Sequence, residues 1–313
     1  MNNRNLLSVL LLALGFSSAN ASAESLPVNN ISKAKTLYLQ AQQFEQNKEY
    51  QQALDYIERA EKVTPNNSDI YLLHAKIFSK LINGASIFSI RGYFVGMREN
   101  LEKVLELAPE NIKAKHLLVD LYMMLPGFLG GDEERAQLLA DQLYEQDPIE
   151  GNIANANIHI KNENYPQAIY LLKSSMVLAP QRLKIQIDLA DLFRTIGKNK
   201  EAMSLFLTLS EDMQNKDSYN DNKHQQLANV LWQIGSISLL EKSYFADAEL
   251  AMTTYIKIQN SNDKKQGKGY LQLADIYLLQ GKIDIAKILL INAKAEIKNK
   301  KTSEKINNRL KSI

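Results

Sequence analysis

Four histidines, His74, His116, His159 and His224, are the side chains best suited to moving protons near neutral pH, and they stand in four separate segments. None belongs to an H-E-x-x-H pair and no G-x-S-x-G sequence occurs, so neither a zinc-protease helix nor a nucleophile elbow is encoded. The nearest thing to an acid–base pair is His116 with Asp120, one helical turn apart, a spacing that ordinary helix-surface pairs share. Cysteine is absent, which removes disulfides, thiolate metal sites, a thiol nucleophile and a lipid-modified cysteine. Pro126, Gly127, Gly130 and Gly131 form a Gly-rich loop ahead of a helix, the setting of a phosphate cradle. Asp132, Glu133 and Glu134 then fill that helix start with negative charge, which argues against an anion there. The residues therefore predict no enzyme, no cofactor and no metal, and point to binding as the function.

Composition agrees. The chain has 313 residues, 45% of them apolar, enough to bury a sizeable interior, and few Gly or Pro, which favours helices. A net charge of +2 from 37 basic and 35 acidic side chains gives no drive toward nucleic acid. At the N-terminus, Arg4 precedes an apolar run from Leu6 to Phe16, followed by small residues through Ala23. That order reads as a signal peptide over 1–23, cleaved near Ala21 or Ala23, and predicts a periplasmic protein. The alternative is an uncleaved N-terminal membrane anchor, although the run is short of the ~20 residues a spanning helix needs.

The elements that must position any binding residues are read from a recurring pattern of sizes. In Tyr270–Ala293 an aromatic is followed by Ala274, then Tyr277, then the break at Gly281, then Ala286, Leu290 and Ala293. This is the order of two short amphipathic helices joined by a Gly turn, with small residues where they cross. Ala41, Ala53 and Ala60 repeat the spacings of Ala274, Ala286 and Ala293, and Pro65 closes that unit. A polar lead, 24–32, is followed by units near 33–67, 68–111, 112–148, 149–182, 183–216, 223–262 and 263–295. Units two and three carry insertions at 81–96 and 125–132, and the polar run from Glu211 to Asn222 is a loop, a helix end or a hinge. The basic tail 296–313 predicts a capping helix with Ile306, Leu310 and Ile313 on one face.

The repeated unit resembles the tetratricopeptide (TPR) motif, whose period is about 34 residues. The run Leu125-Pro-Gly-Phe-Leu-Gly-Gly-Asp132 with Asp147-Pro-Ile-Glu-Gly151 is further similar to a group of exported bacterial TPR proteins with such an insertion loop. The resemblance implies an all-α, right-handed solenoid of about seven helix pairs, whose first helices line a concave groove that holds a peptide, a helix or a folded partner. With Ala274 as the buried small residue, the next position faces that groove. Across the units this position gives Gln42, Lys76, Asp120, Asn157, Asp191, Ile237 and Asp275, with His116 and Arg194 one turn away. Leu240, Leu271, Leu278 and Leu279 should make the C-terminal end of the groove apolar.

Ile87, Phe88, Arg91, Tyr93 and Phe94 in the first insertion, with Pro126, Gly127, Phe128, Gly130 and Gly131 in the second, either pack on the edge of their own units or form a lid. The expectation is a non-catalytic scaffold for another envelope protein or peptide, with membrane contact at most through the basic C-terminus. The alternative is a small-molecule or lipid-binding protein closed by the two insertions.

Overall fold

A computed structural model describes residues 28–214, 221–259, 263–297 and 299–313. The signal-peptide reading and residues 24–27 of the polar lead lie outside the described residues, as does the central part of the 211–222 run; residues 28–32, expected to belong to the lead, are instead the start of the first helix. Fifteen α-helices and one short 3-10 turn make up the described residues, with no strand among them. The architecture is all-α and built of consecutive helix hairpins, seven pairs and a final capping helix. First helices are α1 (Val28–Gln46), α3 (Ser68–Leu81), α5 (Ile112–Met124), α7 (Pro148–Lys161), α9 (Leu183–Thr195), α11 (Asp221–Glu241) and α13 (Asp263–Leu279). Their partners are α2 (Tyr50–Val63), α4 (Ile87–Leu107), α6 (Glu133–Gln146), α8 (Tyr165–Leu178), α10 (Asn199–Gln214), α12 (Phe245–Ile258) and α14 (Ile283–Glu296), and α15 (Lys300–Ser312) follows. The chain divides into two compact units, 1–93 and 94–313, the division falling inside α4.

Five of the seven hairpins close by one device. Lys48, Glu163, Gly197, Lys242 and Gly281 all have positive φ, between 48° and 75°. After each of them, a backbone N–H reaches five residues back: Glu49 to Phe44, Asn164 to His159, Lys198 to Phe193, Ser243 to Ser238 and Lys282 to Tyr277, at 2.8–3.2 Å. This is the Schellman closure, which satisfies carbonyls that a helix end would otherwise leave bare. Helix starts are fixed by side-chain caps where Asn67, Asn111, Asp132, Asp147 and Asn299 accept backbone N–H bonds.

In the first unit the crossing residues Ala41, Ala53 and Ala60 are fully buried beside Ile57, Ile70 and Ile77. In the second, a core runs from Ala156 to Ala286, and a smaller cluster of Ala274, Leu290, Ala293 and Ile297 is covered by Ile306 of α15. The small residues let the two helix backbones approach, as their spacing predicts. Gly151 shows how close: a Cβ there would lie 2.2 Å from the Cα of Tyr144, so the α6–α7 crossing excludes any side chain.

Candidate interaction face

Asp120 on α5, Asn157 on α7, Asp191 on α9 and Gln233 on α11 lie on first helices of the second unit and bridge them in pairs. Asn157 Nδ2 donates to Asp120 Oδ1 at 3.0 Å, and Gln233 Nε2 to Asp191 Oδ1 at 3.4 Å. The partners are 37 and 42 residues apart, one repeat, so each bond joins equivalent faces of neighbouring hairpins. Lys184 donates to both oxygens of Asp188 at 2.6 and 2.8 Å on the same stretch of α9.

Both acceptor carboxylates are electrostatically uncomfortable. Burial lifts the Asp120 carboxyl above its ordinary pKa, against the hydrogen bond from Asn157 and the nearby basic groups of His116, Lys184 and Lys161. The Asp120 side chain still touches solvent. In a furrow between helices a carboxylate can meet water and yet be flanked by low-dielectric protein, which reconciles the two observations. Burial also raises Asp191, with Asp188 adding and Arg194 and Lys184 opposing. The Arg194 guanidinium stands 3.9 Å from Asp191, too far for a close pair to quench the carboxylate.

Beside Asp191 a cleft of about 150 Å³ opens between α9 and α11, lined by Ile187, Val230, Phe206, Trp232, Asn229 and Gln233. A cavity of that order holds a group the size of a benzene ring. Its walls are apolar and its polar groups are Asp191, Asn229 and Gln233, an arrangement suited to an aliphatic stem with a cationic or hydrogen-bonding tip.

A second network lies along the helix starts. His116 Nε2 stands 2.8 Å from Glu150, and Arg182, the residue before α9, donates to the other oxygen of Glu150 at 2.5 Å. His116 is thus tied to a carboxylate on the next hairpin and not to Asp120. Tyr122 donates to Glu102 at 2.7 Å, Arg135 meets both at 2.9 and 3.0 Å, and burial with the Glu102 contact pushes the phenol up to about 12. These polar networks escaped the sequence reading. The one-repeat separations of His116, Glu150 and Arg182, 34 and 32 residues, are the signal that could have found the first of them.

Other expected groove residues are placed differently. Ile237 is 1% exposed and belongs to the core, not to an open face. The register shifts in α11 because Gly235 is the crossing residue, where a Cβ would come 2.7 Å from the sulfur of Met252. Ser236 then takes the facing position and accepts from Gln272 at 3.0 Å. Asp275 is paired with Arg309 of α15, and Leu271 packs into the cluster that α15 covers, so the capping helix occupies that stretch. Leu278 is half-buried against the main core, whereas Leu240 and Leu279 are exposed. Lys76, in the first unit, donates to the buried Glu45 at 2.8 Å.

The first insertion is largely helix. It lengthens α4 at its start, with Ile87 in its first turn (its side chain lies outside the described residues) and Phe88 92% exposed. Arg91 is exposed, Tyr93 and Phe94 are half-buried, and Tyr93 lies against Phe78 with ring centres 5.8 Å apart. In the second, Pro126 and Gly127 are exposed and Phe128 is 79% exposed. Gly130 has φ 92°, the Gly131 N–H bonds Pro126 O at 3.2 Å, and the Asp132 N–H bonds Tyr122 O at 3.2 Å. A Cβ on Gly131 would fall 1.7 Å from Leu125 O. These glycines close a tight turn onto the end of α5, and Asp132 caps α6.

Among the described residues no group of three or more His, Asp or Glu gathers as metal ligands, and no helix is long and apolar enough to cross a membrane. No protein-family model matches the sequence, and no curated protein matches it. Solved structures similar to the chain include a tetratricopeptide repeat protein from Parabacteroides merdae, 15% identical, covering 90% of this chain and 98% of its own, with a TM-score of 0.46. The C-terminal part of a TPR repeat-containing protein from Cytophaga hutchinsonii is 13% identical over 84% of this chain and 97% of its own, with a TM-score of 0.48. A thermophilic TPR protein from Thermus thermophilus is 17% identical over 64% of this chain and 99% of its own, with a TM-score of 0.47. These likenesses stop at helix-hairpin architecture, which the fifteen helices of the described residues display.

Proposed function

We propose that the chain is a non-catalytic interaction scaffold, exported to the periplasm, that holds a peptide or a segment of another envelope protein on the first helices of its second unit. The observation that carries this reading is the cleft at Asp191: a carboxylate raised by burial, facing an apolar slot and bridged only weakly by Gln233 at 3.4 Å. Such a group is stabilised by an incoming cation or donor. A lysine or arginine of the partner fits, its stem along Ile187 and Val230 and its tip on Asp191. Asp120 with Asn157, one hairpin away, would take backbone or side-chain donors of the same extended segment. Export is supported by the residue order of 1–23.

A photo-reactive residue at Asn229, on the cleft wall, should capture a protein partner in cells. Asp191→Ala should cut that capture roughly tenfold or more, the usual loss for a hydrogen bond to a charged group. Capture that is absent, or that is indifferent to Asp191, would remove the cleft from the binding site.

A further inference from the structure

The last hairpin presents a face that the scaffold reading leaves unexplained. Helix α14 buries Ala286, Leu290 and Ala293 on one side and shows Ile285, Ile288 and Ile291 on the other, with Ile288 and Ile291 more than half exposed. Spacings of three residues place these isoleucines side by side along the outer surface of one helix. Counted from the crossing residues Ala202 and Ala286, the positions of α10 equivalent to Ile285, Ile288 and Ile291 are Glu201, Ser204 and Leu207: the first two are polar and exposed, and the third is half-buried. Three exposed β-branched residues in line cost solubility and bring the hairpin nothing, since the core contacts of α14 lie on its other side.

The surroundings of the stripe are cationic. Lys287 and Lys294, two turns apart, run along one flank of it, and from Lys282 onward the chain carries nine basic and three acidic residues. Arg309 is engaged by Asp275, and Lys300, Lys301, Lys305 and Lys311 are exposed on α15, a helix that covers the opposite, buried side of α14 and adds to the charge of this end of the unit without flanking the stripe. One carboxylate, Asp284, sits at the N-terminal edge of the face, in the first turn of α14. An apolar stripe flanked by lysines is what an interfacial helix presents to an anionic bilayer: isoleucines enter the headgroup boundary and lysine stems reach back to the phosphates.

We infer that the outer face of α14 is a docking surface for an anionic lipid membrane, on which the chain lies peripherally while the first-helix face stays open to a partner. Charge selects this occupant over a second copy of the chain, because two such faces would bring like charges together.

The absence of cysteine makes the test direct. An environment-sensitive fluorophore is attached to Ile288→Cys in the full chain, and a control to Ser204→Cys on α10. Vesicles of phosphatidylglycerol and phosphatidylcholine, or of phosphatidylcholine alone, are then added. The expected result is a blue shift at 288 and not at 204, with the mixed vesicles only, weakened by salt. In the same chain, Ile285→Glu with Ile291→Glu should lower the apparent vesicle affinity read at 288 by roughly tenfold or more. No shift at 288, equal shifts at both sites, or equal shifts with neutral vesicles would overturn the proposal. So would a concentration-dependent shift without vesicles, which would assign the face to self-association. Far-UV circular dichroism of each variant shows that the helices persist.

Discussion

Asp120 and Asp191 are costly residues for the fold: burial raises both carboxyls, so the surroundings of each disfavour its ionised form. A folded pKa above the unfolded one means that stability rises as pH falls through the folded value, and that the ionised form is the one the fold penalises. Asp191→Asn and Asp120→Asn should therefore leave the melting temperature unchanged or slightly higher, the solvent around both partly exposed carboxyls keeping the gain small, while partner binding falls. Thermal melts beside crosslinking yields check this, and a variant that loses both together would make the carboxylate structural. His74 titrates in the opposite sense. It is buried against Phe78 with Nδ1 3.1 Å from Glu61, and burial lowers its pKa more than Glu61 and Glu58 raise it. The unfolded chain then takes up this proton first, so stability is complete above the ordinary histidine pKa of about 6.5 and declines as pH falls below it. His74→Gln should flatten the stability profile between about pH 7 and 5.5, measured by urea denaturation at several pH values; an unchanged slope would place the titrating group elsewhere.

At the scale of elements, the hairpin turns show what sequence conveys and what it conceals. Gly281 advertises its turn because glycine alone occupies positive φ without strain. Lys48, Glu163 and Lys242 hold the same conformation with a Cβ, and neither spacing nor composition distinguishes them from helix-surface residues. Lys48→Gly and Glu163→Gly should each stabilise the fold, by up to about 1 kcal/mol, because relief of left-handed strain outweighs glycine's greater unfolded entropy. Denaturant midpoints measure it, and a lower midpoint would mean that side-chain contacts outweigh the strain. The helices themselves were legible from buried alanines and leucines at three- and four-residue spacing. The register of α11 was not, since Gly235 and Ser236 are both small and only the approach of Met252 and Gln272 decides which is the crossing residue. For the same reason Asp120 and Asp191 could be placed on a facing position by counting. The cleft beside Asp191 could not, because its walls come from α10 and α11, elements remote in sequence from Ile187.

Across the whole molecule, stability in a chain of hairpins is a sum of local terms and neighbour contacts, so the α13–α14 hairpin, which no further hairpin follows among the described residues, needs a substitute neighbour. Helix α15 supplies it. Ile306 is 1% exposed, Leu310 and Ile313 pack beside it on Ala274, Leu290 and Ala293, and Arg309 reaches Asp275. One fully buried isoleucine and two partly buried side chains amount to about 3 kcal/mol, at 1.5–3 kcal/mol for each side chain fully buried. The half-exposed Arg309–Asp275 pair adds no more than about 1 kcal/mol. Ending the chain after Ile297 should thus destabilise by about 3 kcal/mol, whereas Arg309→Ala should cost a fraction of that. The two origins separate by location as well as size. In a nearest-neighbour array the truncation should speed hydrogen exchange in α13 and α14 and leave α1–α3 of the first compact unit at their original protection. Uniform loss of protection from α1 to α14 would show instead that the chain unfolds as one cooperative body and that α15 stabilises all of it.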